Sequence, residues 1–467
     1  MTVGKPYFNA FFSAEGFKPL FFPNICSVCQ GMAYYDYDYD DEHMDEDEDG
    51  GDNSFSINFS ENFYFCVKPV VNVWVKHFCI LACACFATKL ASYLSVLYYF
   101  FDWLLFFIIS HVIVSFIYLE FLMKSNTKRN AHLLTLCTVI FLISCEFLMK
   151  STLWQKIRGP HMLIAMKTIS LVYDHSSSSQ KALPGIQEYL GYTLSPGSSV
   201  FGPWISYKDY LVFFEVNYFS WKWCEKILER SFISLIFLLF SACWFDLLLP
   251  VHWHHWVFLY RRAITIRFSH YFISSLSEAA NMLAGGRIET RVTSPLEIEL
   301  PYSMMQVVKH WNIPMHRWLK QYVFRVSQEF GSFFAVLATY VVSASLHGFN
   351  FRLAGILISL GFYSYVEYIF RKKLSIKWNA CISAKPCPTY CEKHEHTERK
   401  IAVKFFNTLF TFLNIFHLVY LGILLDFNTD KEQYNSMETF NDWKDLNYIS
   451  HGVALGMFFL HTLIRAL

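Results

Sequence analysis

The chain has 467 residues, of which 54% are hydrophobic, 19% aromatic and only 16% charged. Soluble domains carry about 25% charged residues, so this deficit, with 48 Phe and 28 Tyr, excludes a mainly soluble architecture and points to a polytopic membrane protein. The net charge of +1 hides an asymmetry: residues 36–52 hold eleven of the 38 acidic residues, and elsewhere 39 basic residues face 27 acidic ones. A basic balance of that kind suits cytosolic loops and a phosphate-bearing partner. Membrane lipids, not nucleic acid, are the expected surroundings.

Residues 1–60 read as a tail of low order. Its acidic run is expected to be solvated and disordered, since like charges repel and nothing there can pack; an acidic interaction tail is the alternative. Residues 1–25 lack a basic start followed by an apolar core, so no cleavable signal peptide is expected, and no KDEL-type terminus is present. Residues 61–467 read as one all-α membrane domain. At about 20 residues per span it has room for roughly eight to eleven spans, with re-entrant or interfacial helices besides.

Apolar segments run over about 67–86 and 88–122 and break at Lys124, Lys128 and Arg129. Residues 131–149 form a span that contains Glu146. Residues 154–173 are short and charged at one end, which suits a re-entrant or interfacial helix; 174–185 read as a flexible loop. Over 188–219, Pro196, Gly197, Gly202 and Pro203 interrupt an apolar, aromatic stretch. Broken backbone at membrane depth survives only where protein buries it or a cavity adjoins it. A span follows at 231–250, then an amphipathic segment at 252–284 with Arg261, Arg262 and Arg267 near its start. Residues 285–330 are polar and aromatic and do not span. Spans return at about 331–348, 349–370, 401–425 and 447–467. Arg371, Lys372, Lys373 and Lys377 mark a cytosolic face. No internal repeat is evident, which weighs against a transporter.

Cys79, Cys83, Cys85, Cys137, Cys145 and Cys243 lie in apolar runs and read as small hydrophobes rather than a disulfide framework. Cys381, Cys387, Cys391, His394 and His396 follow C-x5-C-x3-C-x2-H-x-H. That spacing could hold zinc, but it lacks the tight C-x2-C pairs of common structural sites. A lumenal disulfide and free thiols stay open beside it, and no metal is assigned.

Two places carry chemistry. His347 sits in an apolar run, 330–370, whose other formally charged residues are Arg352 and Glu367. An ionisable side chain at that depth turns inward toward a partner or a wet cavity, and histidine can accept a hydroxyl proton near neutrality. A histidine satisfied at a helix turn is the competing reading, with Gly348 and Asn350 as turn formers. The second place is HWNIPMHRWLKQYVF, 310–324, an amphipathic segment with Lys309, Arg317, Lys320 and Arg325 as its basic members. Such a helix lies on a membrane surface, and Pro314 favours a helix that starts just after Asn312.

The stretch RVTSPLEIELPYSMMQVVKHWNIPMHRWLKQYVF and then ATYVVSASLHGFNFRLAGILISLGFYSYVEYIFRKKL closely resemble the signature of the membrane-bound O-acyltransferase family. IRGPHMLIAMKTISL, VFGPWISY, SHYFISSLSEAANMLAG and CPTYC extend the resemblance over roughly 154–467. It implies a helical fold around a tunnel, with the catalytic segments at about 285–370. It implies His347 and Asn312 as catalytic residues, with no permanently bound cofactor. It further implies an endoplasmic-reticulum, multi-pass enzyme whose acyl-CoA donor is palmitoleoyl-CoA and whose acceptor is a serine of Wnt proteins. Trp311 and Tyr322 are expected on the acceptor side, Tyr340 and Ser343 on the donor side; helix packing is the other reading for all four. Competing functions are a related enzyme with a small lipid acceptor, a transporter using His347, Glu146 and Glu367 as an ion path, and a non-catalytic chaperone.

Overall fold

The computed structural model describes residues 66–86, 90–122, 128–177, 183–200, 202–212, 220–249, 255–286, 290–348, 351–388, 391–424 and 441–466. The expected acidic tail, 1–60, lies outside them. Among the described residues every extended element is helical, and the one β-type pairing is an isolated bridge between Ala380 and His396. The main helices are α1 (Lys68–Phe86), α2 (Leu90–Phe101), α3 (Leu105–Leu122), α4 (Lys128–Leu148), α5 (Ser151–Ser177), α6 (Ile186–Leu194), α7 (Trp221–Leu239), α8 (His255–Leu283), α9 (Met304–Trp311), α10 (Ile313–Leu319), α11 (Ser332–Leu346), α12 (Phe351–Lys377), α13 (Ile401–Ile423) and α14 (Ile449–Ala466).

Among the described residues, five stretches are long and apolar enough to cross a membrane: Leu97–Phe121, Arg129–Leu148, Trp221–Trp244, Arg352–Lys377 and Ile401–Ile423. That is fewer than the roughly eight to eleven expected from apolar stretches alone. Beside them stand the shorter apolar helices Ser332–Leu346 and Ile449–Ile464, the 19-residue α1, and two long polar helices.

Those two polar helices correct the sequence reading. Residues 154–173 are not a short re-entrant piece. They belong to α5, 27 residues that continue through Pro160 and reach about 40 Å at 1.5 Å per residue. Arg158, His161, Lys167, Thr168 and Ser170 on it are buried. Likewise 252–284, which reads as amphipathic, has little exposed face. From Leu259 onward nearly all of α8 is buried, because α7 and α13 both pack along it. Its charge is neutralised inside: Arg267 Nε and Nη2 donate to the two Glu299 carboxylate oxygens at 2.7 and 2.9 Å, and Tyr271 donates to Oε1 at 2.6 Å.

The interruption at Pro196–Gly202 is real and is satisfied by side chains. α6 stops at Leu194, and a four-residue helix, Pro196–Ser199, follows. The fully buried Lys167 of α5 donates to the Tyr192 carbonyl and to Ser198 Oγ, each at 2.6 Å. A buried carbonyl left over by a broken helix would otherwise cost about 1–3 kcal/mol.

Arg371 also departs from expectation. It is 0% exposed, so it adds nothing to the cytosolic surface charge. Cys243 is corrected as well: it is disulfide-bonded to Cys66, 177 residues earlier, with Cα atoms 6.0 Å apart. A lone cysteine in an apolar run cannot be told from a small hydrophobe until its distant partner is known.

Candidate active site

The non-spanning segment expected over 285–330 folds as a strap of short helices. Ser303 caps α9 by accepting the Gln306 N–H at 3.3 Å. α9 ends at Trp311, α10 begins at Ile313, and Asn312 is the hinge residue between them. Its Oδ1 accepts the Met315 N–H at 3.1 Å, with Pro314 in the first turn of α10. This is the start position that the sequence predicts.

The backbone around Asn312 is fixed from several directions. The His310 carbonyl accepts from Ser294 N–H at 3.2 Å and Thr293 Oγ1 at 3.0 Å. Ile313 N–H donates to the Val292 carbonyl at 2.8 Å. His270 Nε2 bonds the Trp311 carbonyl at 2.7 Å, and the two rings stack at 4.3 Å with their planes 2° apart. Asn312 Oδ1 is thus spent on the cap. Among the described residues, Nδ2 donates to no protein acceptor.

The electrostatics of the strap follow from its outer face. Lys309, Arg317, Lys320 and Arg325 are exposed, while Trp318, Leu319 and Tyr322 are buried. Burial first, then the cationic Lys320 and Lys309 nearby, lower the pKa of His316 below that of an ordinary histidine. Tyr322 is pushed up by burial and by the Asp174 carboxylate, to which its hydroxyl donates at 2.9 Å.

His347 caps the C-terminus of α11, with its N–H directed at the Ala344 and Ser343 carbonyls (3.1 and 3.3 Å). Gly348 then takes φ +84°, a left-handed turn that favours glycine. Among the described residues the His347 ring has no hydrogen-bond partner. Next to it in sequence, Ser345, Leu346 and Gly348 line a small pocket of about 10 Å3 with Glu146, Trp154, Arg158 and Met162; the His347 ring is not part of its lining. A methyl group on Gly348 would meet Arg158 Nη1 at 2.5 Å and Glu146 Oε2 at 2.8 Å. Trp154 Nε1 donates to Glu146. Deeper on α5, His161 pairs with His111 of α3, Nδ1 to Nδ1 at 2.8 Å.

The strap and the end of α11 share a backing. Met166 and Ile169 of α5, Trp318, Leu319 and Tyr322 of the strap and Leu346 of α11 form one apolar cluster, with Met315 and Val342 against it. Trp318 Nε1 locks onto the Met166 carbonyl at 3.0 Å. The residues after Asn312 and the residue before His347 therefore dock on the same face of α5.

The four expected substrate-side residues separate. Tyr322 is in the shared cluster. Ser343 is buried in α11, one turn before His347. Trp311 instead stacks on His270 and packs in a different cluster, around Tyr271 and Tyr363. Tyr340 lies against Gly361 of α12, with its hydroxyl 3.4 Å from Ser364 Oγ. The sequence reading missed Arg158 and Trp154 altogether and met Glu146 only as part of an ion path. The signal for them was the charge inside IRGPHMLIAMK and inside an apolar span, at a spacing that says nothing of α11.

A model of the membrane-bound O-acyltransferase family matches residues 95–371. The chain is 35% identical over 380 residues to the protein-serine O-palmitoleoyltransferase porcupine of Homo sapiens, across 74% of this chain and 82% of that protein. To the Mus musculus protein of the same name it is 34% identical over 448 residues, 85% of this chain and 96% of the relative. To that of Anopheles gambiae it is 38% identical over 336 residues, 64% and 67% respectively.

Proposed function

We propose that this chain, which belongs to the membrane-bound O-acyltransferase family, transfers a palmitoleoyl group from palmitoleoyl-CoA to a serine hydroxyl of a protein. The chain is an O-acyltransferase and a multi-pass membrane protein. The palmitoleoyl group and the serine acceptor are carried by the names of its relatives. Wnt proteins as acceptor and the endoplasmic reticulum as location complete the reading.

The observation that carries the chemistry is His347. It ends an apolar helix, its ring has no protein hydrogen-bond partner among the described residues, and its neighbour Gly348 packs against Glu146 and Arg158. A serine hydroxyl is a weak nucleophile and needs a base. In our mechanism His347 takes the hydroxyl proton as the serine oxygen forms its bond to the thioester carbonyl. The tetrahedral intermediate then expels CoA thiolate, and the imidazolium returns the proton to that sulfur. Ser345, two residues before the histidine, donates its hydroxyl to the Val341 carbonyl at 2.9 Å, which favours direct transfer over an acyl-enzyme.

Asn312 supplies a donor. With Oδ1 held by Met315 N–H, the amide can present only its NH2 side, which suits a developing oxyanion or the acceptor backbone. The exposed Lys309, Arg317 and Lys320 suit the phosphates of CoA. The test is transfer in detergent from labelled palmitoleoyl-CoA to a serine peptide from a Wnt hairpin. Labelling of the peptide, and not of a lysophospholipid or sterol, is the expected result. Labelling of the small lipid alone would replace this function with the lipid-acceptor one.

A further inference from the structure

The segment between α12 and α13 carries three cysteines and a histidine that no step of acyl transfer uses. Cys381, Cys387, Cys391 and His394 offer ligand atoms that all lie within 4.8 Å of one another. His394 Nδ1 is 3.6 Å from Cys381 Sγ, 3.5 Å from Cys387 Sγ and 3.3 Å from Cys391 Sγ. A tetrahedral zinc with Zn–S about 2.3 Å and Zn–N about 2.0–2.1 Å sets its nitrogen and sulfur ligands about 3.5–3.6 Å apart. The three observed separations bracket that value. All three cysteines are free of disulfides.

The proton bookkeeping agrees. Ser375 Oγ donates its only proton to the Ala380 carbonyl at 2.7 Å. At 3.1 Å from His394 Nε2 it must therefore accept, so Nε2 carries the proton of the neutral ring. That leaves Nδ1 as a bare lone pair, and Nδ1 is the nitrogen that faces the three sulfurs. A second partner that fixes the tautomer is the usual support for a metal-bound imidazole. His396, the fifth residue of the spacing, is used otherwise: its Nδ1 lies 2.7 Å from Lys400 Nζ, and its backbone pairs with Asn379 and Cys381.

We infer that Cys381, Cys387, Cys391 and His394 bind a structural zinc ion that closes this loop into a knuckle. The compartment is suitable. Between 372 and 404 eight basic residues face three acidic ones, which suits the cytosolic side, where thiols stay reduced. Among the described residues the loop's regular pairing is the isolated Ala380–His396 bridge, and its apolar cluster is small.

The knuckle bears on the strap. Arg371 Nε bonds the Ile382 carbonyl at 2.8 Å and Nη2 bonds Asn407 Oδ1 at 3.0 Å, while Nη1 bonds the Tyr302 carbonyl at 2.6 Å. Asn407 Nδ2 in turn bonds the Cys381 carbonyl at 3.1 Å. Tyr302 lies two residues before α9, which ends at Trp311, next to Asn312. The zinc thus steadies, through Arg371, the segment that carries Asn312.

The experiment is elemental analysis of the full-length protein purified in detergent without chelator, after expression with added zinc. About one zinc per chain is expected, falling to background in Cys387→Ser and His394→Ala. Ser375→Ala should fold and weaken zinc affinity on the order of 10–100-fold, read by competition with a chromogenic chelator. Because ligand variants can fail to fold, the wild-type protein is also labelled with a thiol reagent. The three cysteines should be protected until a chelator is added. Wild-type protein without zinc, or with these thiols reacting equally fast with and without chelator, overturns the site, as does a disulfide among them in a peptide map.

Discussion

Asn312 Oδ1 accepts the backbone N–H of Met315 at 3.1 Å, so one amide both starts α10 and orients its own Nδ2. Two roles on one side chain can be separated by substitution. Asn312→Asp keeps the capping oxygen and removes the donor. Its unfolding temperature should match wild type, while turnover falls on the order of 10²–10³-fold, as for loss of an oxyanion donor. Asn312→Ala should lose the same activity and also about 1 kcal/mol of stability from the missing cap. Wild-type turnover in the Asp variant would reduce Asn312 to a capping residue.

His347→Ala should bind acyl-CoA as the wild type does and transfer it about 10²–10⁴-fold more slowly, the usual worth of a general base. The two readouts are equilibrium binding of labelled acyl-CoA and single-turnover transfer. Unchanged transfer would remove the base role.

Gly348→Ala tests the turn behind the histidine. At φ +84° an L-residue pays roughly 1–2 kcal/mol, and the new methyl meets Arg158 Nη1 and Glu146 Oε2. The expected outcome is a lower unfolding temperature and a fall in kcat larger than any change in KM. An unaltered kcat would mean that Glu146 and Arg158 can move without disturbing His347.

Arg371 and Glu367 form a buried pair at 2.8 Å, 0% and 3% exposed. Glu367 also accepts from Met304 N–H at 2.7 Å and Asn414 Nδ2 at 3.2 Å, which makes it an anchor of the strap and argues against an ion path through it. Arg371→Met should cost about 3–5 kcal/mol, since it strands a buried carboxylate. The exposed neighbour in Lys372→Ala should stay within about 0.5 kcal/mol of wild type. Thermal unfolding of the two variants side by side checks the difference.

The sequence by itself determined the class of the protein and singled out His347 and Asn312 as the candidates for its chemistry. A scarcity of charge and long apolar runs require helices in lipid. One histidine in such a run, and an asparagine just before a proline in an amphipathic segment, need no partner to be noticed. What only the tertiary structure decided is where the other polar residues point. Hydropathy averages over a helix, so it cannot tell a lipid-facing surface from one enclosed by neighbouring helices. That is why α5 reads as a short re-entrant or interfacial piece and α8 as an amphipathic one, although Lys167 and Arg267 are buried and bonded on them. For the same reason Arg371 reads as a surface charge. Pairings across long separations are equally silent: Cys66 with Cys243, Glu146 and Arg158 with Gly348, and three thiols with one imidazole nitrogen exist only once the chain has closed on itself.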